Sequence, residues 1–479
     1  MARHVLAIDQ GTTNTKALLV SDRGEIVARS SAPLTTCYPN PGWVEQSAAD
    51  IWSSVQTVIA QIAGTGIRID AVGIANQRET LVVWDARTSV PLCPAIVWQC
   101  RRTADACAAR VAAGRNAAVR QMTGLDINPL FPASKLEWVL QNVANARTLA
   151  EAGHLRAGTV DTWLLWNLTK GASFATDHSN ASRTQLFDTA TLTFSPQLCR
   201  MFGVPLDCLP TPKASDANFG VTAPGATALP PGVPIRAMMG DSHAALYGHG
   251  VSSPGTVKAT FGTGSSLMTL TPARGQSRHG LSGTIAWTRG TQTVHALEGN
   301  ITVSAQAAAF MAGILDIGSV QALSDLAHSV PDAGGVTFVP ALAGLGAPHW
   351  DDQAKGTITG MTHGTTRAHL ARAAVEAIAH QIADVFEAME LDIGHAITEL
   401  RADGGASGNA ALMQLQADIL GRPVHQSPLE EVGALGVAGL ALGIDLPPGP
   451  TVEHRPAISS SDRADLRSQW ARALVKARA

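Results

Sequence analysis

The chain has 479 residues, of which 45% are hydrophobic and 15% are charged, and its formal net charge at pH 7 is −3. This length exceeds the size at which a single hydrophobic core keeps growing, so we expect two or three domains. The small negative charge excludes a basic surface for nucleic acid, and the lack of an apolar run of about 18 residues excludes a membrane-spanning helix.

The first predicted element is a β-hairpin with a polar turn. Residues 5–8 form an apolar run, residues 9–13 read Asp-Gln-Gly-Thr-Thr, and residues 16–20 form the returning strand. Glycine lets a backbone approach an anion closely, and N–H groups and hydroxyls donate hydrogen bonds to phosphate. The pattern therefore predicts a phosphate-binding turn or, as the alternative, an ordinary hairpin turn. Because the chain starts directly with this strand, we expect no secretion signal and a cytoplasmic location.

Two charged residues of this hairpin are candidates for the phosphate site. Asp9 ends the first strand, where its carboxylate would repel a phosphate unless a cation lay between them. Mg²⁺ suits this place because it binds one or two carboxylates, waters and phosphates, so we expect Asp9 to hold it through a bound water. Lys16, on the returning strand, either contacts a phosphate or is a solvated strand residue.

Strands and helices then alternate through the first third of the chain, which predicts an α/β layer architecture. The predicted strands are 71–76, 81–85 and 95–99, and the predicted helices are 47–62, 102–113, 134–142 and 144–153. Arg78 and Glu79 follow the strand 71–76. Their donors and acceptors suit the neighbouring hydroxyls of a polyol, whereas the alternative is an ion pair between them at the surface.

A loop rich in proline and glycine at 224–234 leads into a short predicted strand, 235–239, and then to Asp241. An acid between a strand and a helix faces the cleft in many α/β proteins. As a general base, Asp241 would accept the proton of an acceptor hydroxyl. The alternative is that it caps the following helix. We place the domain boundary near residue 248, which divides the chain into 1–247 and 248–479.

The second half of the chain, like the first, opens with a predicted hairpin that is followed by strands and helices. A predicted hairpin at 256–270 turns at Gly262, Thr263 and Gly264, and later elements are strands 293–298 and 399–403 and helices 302–314, 319–329, 367–391, 408–420 and 461–477. Matching hairpins predict two copies of one fold with a ligand between them, and the two turns could hold one nucleoside triphosphate from opposite sides. No Rossmann or Walker A motif follows any strand, which disfavours those nucleotide-binding folds.

The strand 399–403 runs into a glycine-rich helix start. Gly405 would let the backbone approach a flat ring, and Asn409 could form a hydrogen bond with an adenine edge or a ribose. The alternative is a plain loop that starts a helix.

Together these segments resemble the FGGY carbohydrate kinases and, within that family, most closely the glycerol kinases. The resemblance runs nearly from end to end and is carried by residues 9–13, 41–46, 73–80, 95–99, 161–164, 180–184, 262–264, 344–348, 356–376 and 403–406. It implies two actin-like (ribonuclease-H-like) α/β ATPase domains around a central cleft. The first domain would bind the acceptor and phosphate and the second the nucleotide, with ATP and Mg²⁺ as cofactors.

The resemblance also implies a role for each matching residue. Asp241 would be the catalytic base. The acceptor would be bound by Arg78, Glu79, Asp241, Ser242, Leu130 and Ser266. The nucleotide would be bound by Thr12, Thr13, Lys16, Gly262, Thr263, Gly405, Ala406 and Asn409.

The chain departs from the glycerol kinase pattern around the acceptor. Leu130, Ser242 and Ser266 stand where those kinases usually have Tyr, Gln and Phe. Smaller or apolar groups should enlarge the pocket, and each lost contact costs roughly 1–3 kcal/mol of discrimination. We therefore expect a kinase of glycerol or a related small polyol that forms a homodimer or a homotetramer. The alternatives are a ketose kinase such as a xylulokinase and, less favoured, an actin-like protein whose binding is gated by ATP.

Overall fold

Two mixed β-sheets form the centres of two lobes in the computed structural model, which describes residues 3–479. The strands up to residue 248 are β1 (His4–Gln10), β2 (Asn14–Ser21), β3 (Ile26–Pro33), β4 (Glu45–Gln46), β5 (Ala71–Asn76), β6 (Val82–Asp85), β7 (Ala95–Ile96), β8 (Leu155–Gly158), β9 (Ala175–Asp177), β10 (Phe187–Asp188), β11 (Thr193–Phe194), β12 (Thr211–Lys213), β13 (Gly220–Val221) and β14 (Pro234–Gly240). The helices there are α1 (Ala48–Ala63), α2 (Ala104–Ala112), α3 (Asn116–Thr123), α4 (Pro132–Asn142), α5 (Ala146–Glu151), α6 (Val160–Leu168), α7 (His178–Ala181), α8 (Pro196–Met201) and α9 (Asp241–Gly248).

The remaining elements build the second lobe and part of the first. The strands are β15 (Thr256–Phe261), β16 (Ser265–Thr271), β17 (Ser282–Arg289), β18 (Gln292–Ile301), β19 (Thr337–Val339), β20 (Thr357–Thr359), β21 (Glu399–Asp403), β22 (Val424–Gln426) and β23 (Val452–His454). The helices are α10 (Gln306–Ile314), α11 (Val320–Ala327), α12 (Arg367–Ile393), α13 (Ala410–Leu420), α14 (Val432–Leu442) and α15 (Ser460–Ala477).

The two large sheets share one topology. The strand order is β13-β14-β5-β1-β2-β3 in the first and β17-β18-β16-β15-β21-β22-β23 in the second. In each sheet the opening hairpin is antiparallel, and its first strand pairs in parallel with a later strand, β5 or β21. The prediction that matching hairpins open two copies of one α/β arrangement is therefore confirmed.

Local sequence signals explain why some elements were predictable. Ser47 caps α1 as its sequence position indicates, because its hydroxyl accepts a hydrogen bond from the N–H of Asp50 at 3.1 Å. The predicted strand 95–99 is shorter, since only Ala95–Ile96 pairs. Helix α14 was missed because it is apolar on all sides and buried, and so lacks the amphipathic period of a surface helix.

Helix α14 comes late in the chain but lies on the first lobe, against α9 and strands β1, β5 and β14. A Cβ at Gly436 would overlap the carbonyl oxygen of Ala244, and a Cβ at Gly73 would lie 3.0 Å from the carbonyl oxygen of Val437. The backbones therefore meet without intervening side chains. A cut at residue 248 does not separate the two lobes completely, and that boundary stays a prediction.

A shared apolar cluster joins the lobes. It combines side chains of β1, β2, β14, α9 and α14 with Met268, Leu270 and Trp287 of the second sheet. Each lobe also has its own core, formed by the sheet with α1 and α6 in the first lobe and with α12 and α13 in the second. Between residues 3 and 479, no helix is both long and apolar enough to span a bilayer.

Candidate active site

Carboxylates from four segments converge around Asp9. This residue lies near the end of β1, half-buried and opposite Lys16 in the register with β2. Burial, together with the charges of Asp241, Glu431 and Asp403, raises the pKa of Asp9 to about 7, while Lys16 opposes the rise. Negative charge from both lobes is thus concentrated at one place between them.

A divalent cation fits this concentration of negative charge. In nucleotide enzymes Mg²⁺ is held by one or two carboxylates and completes its shell with water and phosphate oxygens. Within residues 3–479, no three His, Cys, Asp or Glu side chains are arranged to hold an ion by themselves. The donor set around Asp9 therefore fits a cation that arrives with its own phosphate and water ligands.

Hydrogen bonds fix the first predicted phosphate turn, residues 9–13. The N–H of Gly11 donates to the carbonyl oxygen of Asn14 at 2.9 Å. The indole N–H of Trp98 donates to the hydroxyl oxygen of Thr12 at 3.0 Å, whereas Thr13 is exposed. These contacts hold the turn in place and leave the Thr13 hydroxyl open to a ligand.

Lys16 already has a partner in the structure. Its Nζ lies 3.3 Å from Oε2 of Glu430, and its side chain is 30% exposed. Both interpretations of Lys16, as a phosphate contact and as a solvated strand residue, therefore stay predictions.

The second predicted phosphate turn borders the same space. The N–H of Gly262 donates to the carbonyl oxygen of Gly264 at 3.1 Å, and the Thr263 side chain is exposed. Thr260, just before the turn, lies opposite Asp403 in the register of β15 with β21. Since Asp403 is one of the carboxylates that act on Asp9, the two hairpins flank one interlobe region.

The glycine-rich segment after β21 starts a helix. Gly404 has a φ of 90°, and a Cβ there would lie 2.7 Å from the carbonyl oxygen of Phe261, so only glycine fits. Residues Gly405–Gly408 form a short 3₁₀ helix in which Gly405 is exposed and Ala406 is half-buried. The backbone at Gly405 is exposed, and its contact with a nucleotide base stays a prediction.

Asn409 caps helix α13. Its side-chain oxygen accepts hydrogen bonds from the N–H groups of Ala411 and Leu412 at 3.0 and 3.1 Å, and its Nδ2 donates to the Ser324 hydroxyl at 2.7 Å. The side-chain oxygen therefore caps the helix. This agrees with the alternative given above, a loop that starts a helix. A contact with the nucleotide would have to use the second N–H of Nδ2.

Asp241 and Arg78 lie side by side between the lobes. Asp241 is the first residue of α9, its side chain is 39% exposed, and Nε of Arg78 donates to its Oδ1 at 3.1 Å. The helix is capped by Gly240, so the alternative that Asp241 is the cap is wrong by one position. A partly exposed carboxylate fixed by one guanidinium can accept a proton from a hydroxyl that enters the cleft.

Arg78 and Glu79 do not pair with each other, and both are buried, so the alternative of a surface ion pair is wrong. Arg78 Nη1 donates to Glu298 of the second lobe. Glu79 has a φ of 61° and accepts a hydrogen bond from Nε of Arg183 at 2.7 Å. This strained backbone turns the two neighbouring side chains toward different partners.

Ser242 and Ser266 are two of the three residues that depart from the glycerol kinase pattern around the acceptor. Each forms a hydrogen bond with a carboxylate. The N–H of Ser242 donates to Oδ1 of Asp241 at 2.6 Å. The hydroxyl of Ser266 donates to Oε1 of Glu298 at 2.9 Å. Both serines thus adjoin the carboxylates that are linked through Arg78.

Leu130, the third of these residues, lies beside a buried lysine. Nζ of Lys135 donates to the carbonyl oxygens of Leu130 at 2.8 Å and of Glu79 at 3.2 Å. Burial lowers the pKa of Lys135 to about 7. The lysine therefore ties the segment of Leu130 to the backbone of Glu79.

Sequence reasoning missed Glu298, Arg183 and Lys135 as parts of this cluster. A signal for Glu298 existed, since a single acid inside the apolar strand segment Ala296–Gly299 indicates a buried, paired charge. Arg183 lay within a segment noted only for its resemblance. Nothing in the sequence indicates which buried charges face each other across the lobes.

Known proteins resemble the chain in sequence and in fold. The model described as the FGGY family of carbohydrate kinases, N-terminal domain, matches residues 4–248, and that of the C-terminal domain matches residues 257–443. The chain is 43% identical to glycerol kinase of Symbiobacterium thermophilum, over 99% of this chain and 98% of that one. It is 42% identical to glycerol kinase of Nitratidesulfovibrio vulgaris, over 100% and 99%. The crystal structure of Plasmodium falciparum glycerol kinase with ADP matches with a TM-score of 0.92 at 30% identity, over 99% and 98%.

Proposed function

Because the chain belongs to the FGGY family of carbohydrate kinases, we propose that it transfers the γ-phosphate of ATP to a primary hydroxyl of glycerol or a related small polyol. The glycerol kinases that it resembles match it over nearly their full length. The observation that carries the proposal is the contact of Asp241 with Arg78 between the lobes, next to Asp9.

The chain's own residues have separate tasks in this reaction. Phosphoryl transfer depends mainly on positioning and on neutralising charge. Asp241 accepts the proton of the acceptor hydroxyl, and the turns around Thr12 and Thr263 hold the phosphates. Mg²⁺, held by Asp9 through water, would neutralise phosphate charge when bound.

The acceptor lies, in this proposal, against Arg78 and Glu79. Leu130, Ser242 and Ser266 line the same side, and their small or apolar groups support a site that also admits a somewhat longer polyol. The nucleotide lies against Lys16, Gly262 and the segment Gly405–Gly408, with Asn409 at its end.

A substrate panel tests the proposal. Purified protein with ATP and Mg²⁺ is offered polyols and ketoses of three to seven carbons, and ADP formation is recorded. We expect glycerol or another small polyol to raise ADP formation well above basal hydrolysis. A ketose with the highest kcat/KM would move the assignment to the ketose kinases. ATP binding without stimulation by any acceptor would overturn the kinase assignment in favour of an ATP-gated binding protein.

Assembly and location complete the proposal. Light scattering distinguishes the proposed homodimer or homotetramer from a monomer. The donor, ATP, is a cytoplasmic metabolite, which supports the expected location.

A further inference from the structure

Glu298 is a buried carboxylate that the second lobe contributes to the acceptor side of the first. It lies on β18, opposite Met268 of β16, and its side chain is 0% exposed. Its Oε1 accepts hydrogen bonds from Arg78 and, at 2.9 Å, from the Ser266 hydroxyl. Its Oε2 lies 2.6 Å from Nη2 of Arg183. Both carboxylate oxygens therefore face members of one polar cluster, which consists of Arg78, Arg183, Ser266 and Glu298.

Glu298 is ionised in this cluster. Burial alone would raise the pKa of a carboxyl, but the guanidinium groups of Arg183 and Arg78 hold the pKa of Glu298 well below its usual value. A buried charge persists only when it is paired and hydrogen-bonded. One anion of the second lobe thus compensates two cations of the first.

Arg78 forms hydrogen bonds with carboxylates of both lobes. Its Nε donates to Asp241 of the first lobe and its Nη1 to Glu298 of the second, which fixes the plane of the guanidinium. Nη2 of Arg78 makes no hydrogen bond within residues 3–479 and is available to an acceptor oxygen. A long side chain with one anchor would rotate, whereas two anchors hold this donor in one direction.

We propose that Glu298 is a positioning residue for phosphoryl transfer. It orients Arg78 toward the acceptor hydroxyl beside Asp241, so the acceptor site is complete only when each lobe contributes a group. The inference rests on the proposed function above. Glu298 does not touch the substrate in this arrangement and acts through Arg78.

The variant Glu298→Gln keeps the shape of the side chain and removes its charge. We expect the KM for the acceptor to rise about tenfold or more and kcat to fall about tenfold, because a misaligned positioning group weakens the reactive geometry. The KM for ATP should stay within about twofold. Glu376→Gln is the matched control, since Glu376 is also buried and paired with an arginine, Arg372, but lies on α12 away from the cluster.

A double-mutant cycle separates positioning from a general structural role. If Glu298 acts through Arg78, then Glu298→Gln should change the acceptor KM by less than about twofold in the Arg78→Ala background. A role in holding the lobes together would instead multiply the two effects and raise the KM for ATP as well. Either that pattern, or a wild-type acceptor KM in Glu298→Gln, overturns the inference.

Two further measurements keep the result unambiguous. Should Glu298→Gln unfold, Glu298→Asp retains the charge on a shorter arm, and we expect a smaller rise in the acceptor KM with an unchanged KM for ATP. An unchanged acceptor KM in that variant would count against the inference. If the wild-type protein phosphorylates no acceptor, the proposed function fails, whereas an active wild type with an unaffected Glu298→Gln refutes only the role of Glu298.

Discussion

Asp241 occupies the first turn of α9, where the helix dipole and Arg78 both favour a negative charge. Hydrogen bonds from Arg78 and from the N–H of Ser242 orient the carboxylate before a substrate arrives. Its partial exposure leaves one side open to a hydroxyl. These features suit a general base better than a structural acid, which would be fully enclosed by donors.

We expect Asp241→Asn to lose most of kcat, by about 10²–10⁴-fold, because an amide cannot accept the hydroxyl proton. ATP binding should stay near normal, since Asp241 serves the acceptor in the proposed site. Steady-state kinetics and nucleotide titration of the same preparation check this. Full turnover by the variant would refute the role of Asp241 as base.

Arg78→Ala should raise the KM for the acceptor far more than the KM for ATP. The change removes the donor toward the acceptor and leaves Asp241 and Glu298 without their shared partner. Initial rates with each substrate varied in turn measure the two constants. An unchanged acceptor KM would contradict the proposed contact.

At this scale the sequence predicted individual residues better than their partners. Asp241, Arg78 and Glu79 were identified by their positions after strands, because local pattern reveals strand ends. The pairing of Arg78 with Glu298 joins residues 220 positions apart. No local pattern contains such a contact, since it arises from the docking of two separate sheets.

Helices α9 and α14 meet through glycines, and this contact sets the position of Asp241. A Cβ at Gly433 would lie 3.3 Å from the carbonyl oxygen of Asp241 and 3.9 Å from Oδ2 of Asp9. At Gly436 a Cβ would overlap the backbone of Ala244. The packing of α14 therefore supports the segments that carry Asp9 and Asp241.

The substitution Gly436→Ala should lower the free energy of unfolding by about 1–3 kcal/mol and also lower kcat, because the added methyl group pushes α14 away from α9. Urea titrations and kinetics measure the two effects. Gly313→Ala is the control: Gly313 lies in helix α10 with open space around it, so the same change should be neutral or slightly stabilising. Equal behaviour of the two variants would contradict the packing argument.

The last helix, α15, is fastened to α12 by a polar and aromatic cluster. The ring of Trp470 stacks on His380 with centroids 5.1 Å apart, and its N–H donates to Asp384 at 2.8 Å. Arg467 donates to the same carboxylate at 2.7 Å. Burial, together with the charge of Arg467, lowers the pKa of His380 to about 3, while Asp384 opposes the shift.

This cluster predicts acid sensitivity. Since the folded pKa of His380 lies below the ordinary value of 6.5, the unfolded chain binds more protons between pH 6.5 and 3, and stability falls as the pH falls through that range. In His380→Gln, the loss of unfolding free energy from pH 7 to pH 5 should be smaller than in the wild type by about 2 kcal/mol. Urea titrations at both pH values measure this difference. A His395→Gln control at an exposed site should match the wild type, and an equal loss in both variants would contradict the prediction.

Among the elements, the long amphipathic helices and the two opening hairpins were predicted, whereas the short helices α3 and α8 and the buried helices α6 and α14 were not. Helices α6 and α14 are buried on nearly all sides, so their sequences show no polar face. Their positions depend on the layers that surround them.

The whole molecule was predicted more completely than its parts. The two actin-like α/β lobes, inferred from matching hairpins and from resemblance, are confirmed by the repeated sheet topology and by the match to a glycerol kinase structure. How the lobes dock was not predictable. It depends on close backbone contacts, such as the N–H of Gly283 that donates to the carbonyl oxygen of Gly124 at 2.8 Å.

Arg101 and Asp352 also join the lobes, with Nη2 of the arginine 2.6 Å from Oδ2 of the acid. The pair is partly exposed, so its contribution is modest and depends on salt. We expect Arg101→Glu to raise the KM values for ATP and acceptor together by about twofold to fivefold at low salt. The swap Arg101→Glu with Asp352→Arg should restore both values. Failure of the swap to do so would show that the pair does not couple the lobes.

The placement of α14 has a consequence for how the protein is made. The first sheet presents apolar side chains that are covered by residues 432–442. When a ribosome has synthesised only the first half of the chain, that face has no cover and is exposed on the nascent polypeptide. The first lobe can therefore mature only near the end of translation, after most of its partner has already emerged.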